Sequence, residues 1–64
     1  MVLDRIIEME LDFLKKRRIP TRVFMNYNTY DTLIKELEVD RMFHIIHNMQ
    51  IEIVKSKSAQ LLVL

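Results

Sequence analysis

The side chains able to do chemistry in this chain are few and fall into short clusters. His44 and His47 are its two histidines. Set three residues apart, they share one face if their segment is helical, and Asp40 stands four residues before His44. Two imidazoles and a carboxylate can begin a zinc site, but such a site needs further ligands in fixed geometry. The chain has no cysteine, and no recognised zinc spacing surrounds the pair. The expectation is no metal and no cofactor. The histidines then ring a packed segment or meet their mates across an interface, where protonation would make association depend on pH.

Lys15, Lys16, Arg17 and Arg18 form the one dense basic run, and Arg22 follows closely. Such a run can contact phosphates of nucleic acid. At the end of a helix the same cations oppose the negative pole of the dipole, and Asp12 can pair with Lys15 or Lys16 at helical spacing. The helix-end reading is preferred, with nucleic-acid contact by these five residues as the alternative. Lys55 and Lys57 extend the patch only if the fold brings the two ends together. Phe24, Tyr27 and Tyr30 could stack on bases. Aromatics placed around a helix start more often staple it and complete the core, which is the preferred role. Ser56 and Ser58 have no identifiable base nearby, and the carboxylates are spread along solvated faces. With no glycine there is no Gly-rich phosphate loop. A non-enzymatic protein is expected, since so short a chain has little room for a water-excluding pocket.

The elements that position these residues follow from periodicity. Residues 2 to 18 predict an amphipathic helix with Val2, Leu3, Ile6, Ile7, Met9, Leu11, Phe13 and Leu14 on one broad face. That arc is wider than packing on one sheet requires, which points to a second packing surface. Glu10 lies inside it, at a rim or paired with Arg17. Ile19-Pro20 ends the helix. Residues 21 to 26 alternate as a strand, and a second helix begins near Asn28 as its cap, with Tyr30, Leu33, Ile34 and Leu37 facing the sheet. Residues 39 to 48 are ambiguous; a short helix or turn capped by Asp40 is preferred over a strand. Met49, Ile51 and Ile53 alternate as a strand, the KSKS run at 55 to 58 connects a hairpin, and residues 59 to 64 form a last strand buried on both faces or paired across an interface. The fold class is α+β: one domain, with a three-stranded sheet and helices on one face.

Composition sets the limits. Of 64 residues half are apolar (50%), with no Gly, no Cys, one Pro and a net charge of +1. Disulfides are excluded, and a fold of this size buries only about 60% of its unfolded surface. A second copy is the simplest way to bury more. The near-neutral balance gives no global pull toward nucleic acid or membrane, and no apolar run is long enough to span a bilayer. The absence of cysteine fits a reducing cytoplasm.

The stretch IPTRVFMNYNTYDTLIKEL, followed by HNMQIEIVKS, resembles a strand–helix–strand segment of some tailed-phage structural proteins. The resemblance covers about half of the chain. It implies a small phage or mobile-element protein acting in the host cytoplasm, and assigns no residue a role. The combined expectation is a protein-interaction module, a homodimer, serving virion assembly or modulating a host factor. Leu3, Ile7, Glu10 and Leu14 of the first helix, with Leu61, Leu62, Val63 and Leu64, are its expected self-association surface.

Overall fold

The computed structural model describes residues 1–57 and 61–64. Helix α1 spans Val2–Lys15, strand β1 Arg22–Asn26, helix α2 Tyr27–Leu37, and strands β2, β3 and β4 Ile45–Ile46, Met49–Val54 and Leu61–Val63. The class is α+β as the sequence predicts, with a four-stranded sheet where three strands were expected.

Both helices end without glycine. α1 stops at Lys15 because Arg17 turns left-handed, at φ 58°. The Arg17 N–H donates to the Leu14 carbonyl and the Arg18 N–H to the Phe13 carbonyl, each at 3.0 Å. This pair of bonds caps the helix end and leaves Arg17 and Arg18 outside it. α2 ends the same way at Glu38 (φ 55°, ψ 42°), where the Val39 N–H reaches back to the Ile34 carbonyl at 3.1 Å. Its start differs from the expectation. Asn26, not Asn28, is the cap: its side-chain oxygen accepts from the Thr29 N–H at 2.8 Å. α1 has no cap of its own. The Glu36 carboxylate on α2 supplies one, accepting from the Val2 N–H at 3.0 Å and the Leu3 N–H at 3.3 Å. A carboxylate there also suits the positive helix end.

The sheet order is β2-β3-β1-β4. β1 and β3 are parallel, with Val23 opposite Ile51, and α2 lies in the crossover between them. β4 runs antiparallel on the other side of β1, with Val23 opposite Val63. The expected hairpin between the last two strands is therefore absent, because β1 stands between them. The central strand satisfies both of its edges this way, which a β3–β4 hairpin would not do. Ser58 of the expected connection lies outside the described residues, as do positions 59 and 60.

The tight hairpin is β2–β3. His47 and Asn48 make a two-residue turn, with φ 48° and 64°, the left-handed pair that matches strand twist. Residues 39 to 48 thus hold both readings in part: turns, as preferred, and the short strand β2, with no helix. Asp40 closes the turn: its carboxylate accepts from the Met42 N–H at 2.9 Å and its carbonyl from the Phe43 N–H at 3.2 Å. The Tyr30 hydroxyl lies 2.7 Å from the Phe43 carbonyl and 3.0 Å from the Arg41 carbonyl, so α2 takes up acceptors that a helix there would need.

The core lies between the sheet and the two helices. Ile6 of α1 and Tyr30, Leu33 and Ile34 of α2 pack onto Val23, Met25, Ile46, Met49, Ile51, Leu61 and Val63. Each fully buried aliphatic side chain contributes about 1.5–3 kcal/mol of transfer free energy. The strand members of this set share one face of the sheet, and both helices cover that face.

Candidate interaction surface

The opposite face of the sheet has no element over it among the described residues. Alternation along the strands and the pairing register place Arg22, Phe24, Ile45, Gln50, Glu52, Val54 and Leu62 there, with Leu64 continuing the row beside Arg22. Phe24, Val54, Lys55, Ser56, Leu62 and Leu64 line a shallow groove of about 470 Å³ on this side. Leu62, Leu64 and Ile45 are each about half exposed, at 50%, 53% and 52%. Arg22 and Glu52 are the charged residues within the strands of this face, and Lys55 stands at its rim.

Of the two readings of the last strand, burial on both faces does not hold. Leu61 and Val63 are buried against the helices while Leu62 faces out, so the strand is buried on one face. Its outer edge has no strand beside it among the described residues. Arg22 and Leu64 exchange both backbone hydrogen bonds at 2.9 Å, and the alternation from there leaves the Leu61 and Val63 backbone groups pointing away from β1.

The residues expected to join in self-association divide between two surfaces. Leu62 and Leu64 lie on the open face, whereas Leu3, Ile7, Glu10 and Leu14 belong to α1 on the other side of the sheet. Leu3 packs against the core, Ile7 is half-buried and Leu14 is 48% exposed. Glu10 pairs with His47, not Arg17: its carboxylate is 2.9 Å from the imidazole Nδ1. Arg17 is unable to align with it because it sits beyond the end of the helix. The broad apolar arc of α1 serves the core through Val2, Ile6, Met9 and Phe13, leaving Leu11 and Leu14 about half exposed.

Lys15, Lys16, Arg17, Arg18 and Arg22 are all exposed: Lys15 ends α1, the next three lie in the connection to β1, and Arg22 opens β1 on the uncovered face. Lys55 and Lys57 do not join them. Arg22 pairs with Gln50 and Asn26 with Val54, so these two lysines follow the far end of β3, on the order of 13 Å away along the sheet.

The aromatic cluster divides by role. Tyr30 is buried, as the core reading requires, whereas Tyr27 is 54% exposed. Arg41 lies over the Tyr27 ring, 5.3 Å from its centre, hydrogen-bonds the Tyr27 hydroxyl and reaches the Asp31 carboxylate at 2.6 Å. Lys35 bonds the other Asp31 oxygen at 3.0 Å. The hydrogen bond from Lys35, then that from Arg41, holds the Asp31 carboxyl below its ordinary value of 3.8. Sequence reasoning missed this group because Arg41 is ten residues from Asp31, too far for helical spacing to link them.

His44 and His47 do not form a pair. His44 Nδ1 lies 2.9 Å from the Met42 carbonyl, while His47 turns toward Glu10. Among the described residues no three His, Asp or Glu side chains stand together as a metal site. No described helix is long and apolar enough to cross a membrane. No known protein family, curated protein or solved structure matches this chain.

Proposed function

We propose that this chain is a non-enzymatic protein-interaction module that self-associates and binds another protein through the open face of its sheet. The observation that carries the reading is the asymmetry of that sheet. Two helices cover one face, while the other presents Phe24, Val54, Leu62 and Leu64 around a shallow groove, with Ile45 on the outer strand β2. Apolar residues gathered on one exposed face favour a protein partner over water. The strand–helix–strand resemblance adds a setting to the proposal: a phage or mobile-element protein in the host cytoplasm, serving virion assembly or modulating a host factor.

A photo-cross-linking residue placed at Leu62, and separately at Glu8 on the exposed side of α1, tests this in expressing cells. Protein adducts concentrated at position 62 are expected. Equal adducts from both positions, or none from position 62, overturn the reading. The alternative is a nucleic-acid-binding regulator, favoured by the five exposed cations, which make no ion pair among the described residues. Its mark is an affinity that falls steeply with salt, whereas an apolar contact barely responds.

A further inference from the structure

The open sheet face carries charge as well as apolar surface, and its charges are self-complementary. Arg22 on β1 and Glu52 on β3 are diagonal neighbours there, flanking Phe24. Neither makes an ion pair within the protomer among the described residues. A two-fold axis lying in the face midway between them sets Arg22 of one copy over Glu52 of the other, twice, with Phe24 and Leu62 enclosed. A two-fold interface requires this self-complementarity, since one patch must serve both partners.

The protein exposes 4897 Å², whereas a compact monomer of its 7.8 kDa exposes about 4,400 Å². That excess is spread over the surface, Met1, Ile19 and Met42 included, and the open face contributes Ile45, Leu62 and Leu64, each about half exposed. Two such faces bury on the order of 1,000 Å², the lower bound for a specific interface, so the contact is a reversible one.

We infer that the open face is a homodimer interface: two copies pack sheet to sheet, with reciprocal Arg22–Glu52 pairs fixing the register and both helical layers outside. This rests on the proposed function and names the first occupant of its surface. Arg22, counted above with the basic cluster, acts in protein pairing rather than phosphate contact.

The test is solution mass by light scattering and sedimentation over a dilution series to several hundred micromolar, for the full chain. A dimer is expected. Arg22→Glu or Glu52→Arg should each weaken it by about tenfold or more, through like charges set opposite each other. The double exchange R22E/E52R should restore it to within about threefold. Leu62→Lys should give folded monomer, and Leu14→Asp, on the helical side, should leave the dimer intact. A monomer at every concentration overturns the inference, as does a dimer indifferent to both exchanges, one lost on Leu14→Asp, or an assembly that grows past two. Protein adducts from position 62 alongside a monomeric mass would leave the interaction function standing with a different occupant.

Discussion

Replacing Glu38 with glycine should make the protein more stable, although it removes a side chain and adds none. Glu38 closes α2 at φ 55°, ψ 42°, close to the centre of the left-handed region. A residue with a Cβ loses about 1–2 kcal/mol there. Its carboxylate also stands at the negative end of the helix dipole, which disfavours it by about 0.3–0.5 kcal/mol. The side chain is exposed and makes no hydrogen bond or ion pair among the described residues, so its removal forfeits little. Glycine's greater freedom in the unfolded chain subtracts about 0.5–1 kcal/mol. The balance is a gain of about 1 kcal/mol. Urea denaturation at fixed protomer concentration should show the midpoint rising by about 1 M with its slope unchanged, and the melting temperature by about 4–8 °C. Glu38→Ala removes the charge but keeps the Cβ, and should recover only a few tenths of a kcal/mol. Arg17→Gly, at φ 58°, should gain less than Glu38→Gly, because it gives up a cation that the helix end favours. If Glu38→Gly proves no more stable than Glu38→Ala, the backbone-strain argument is wrong.

Other substitutions probe the joints of the fold. Asn26→Ala removes the cap of α2 and the Nδ2 donor to the Ser56 carbonyl, and should destabilise by about 1–2 kcal/mol in urea. Tyr30→Phe leaves the Arg41 and Phe43 carbonyls without their hydroxyl donor and should destabilise by about 1–2 kcal/mol; an unchanged midpoint would mean the turn does not rely on it. Because the folded-state pKa of Asp31 is lowered by Lys35 and Arg41, its contribution is fully present above the unfolded value and is lost as pH falls through the folded one. The melting-temperature advantage of the wild type over Asp31→Asn should therefore be constant near neutrality and begin to shrink only below about pH 4, and an advantage already falling between about pH 7 and 5 would contradict the assignment.

Much of this architecture is legible in the chain because its apolar periodicities are local. Val23 and Met25 mark β1, Tyr30, Leu33 and Ile34 mark the buried side of α2, and Met49 and Ile51 mark β3, each from spacing alone. Two of the misreadings share a cause. Glycine normally signals where a chain turns left-handed, and here Arg17, Glu38, His47 and Asn48 take that conformation in its place. The end of α1 and the β2–β3 turn were therefore hidden. Pairing order was hidden for another reason: alternation shows which way a strand faces but not which neighbour it takes, and β4 joins β1 across sequence separations of 36 to 40 residues. The exposed leucines follow the same rule. Leu61 to Leu64 read as a continuous apolar run, and only the pairing with β1 sorts them into inward and outward sides.

The placement of β1 at the centre of the sheet governs the order in which the molecule assembles. The β2–β3 hairpin closes over two residues, an event of microseconds. β1 must wait for distant segments on both sides, so closing those loops is the slow part of folding. β4, three residues long, is held by β1 along a single edge. Its release bares the second edge of β1 and the inward faces of Leu61 and Val63 together. Amide hydrogens of β4 would then exchange with solvent by partial opening, ahead of those in β1 and β3, and the bared edge of β1 would be open to pairing with a foreign strand.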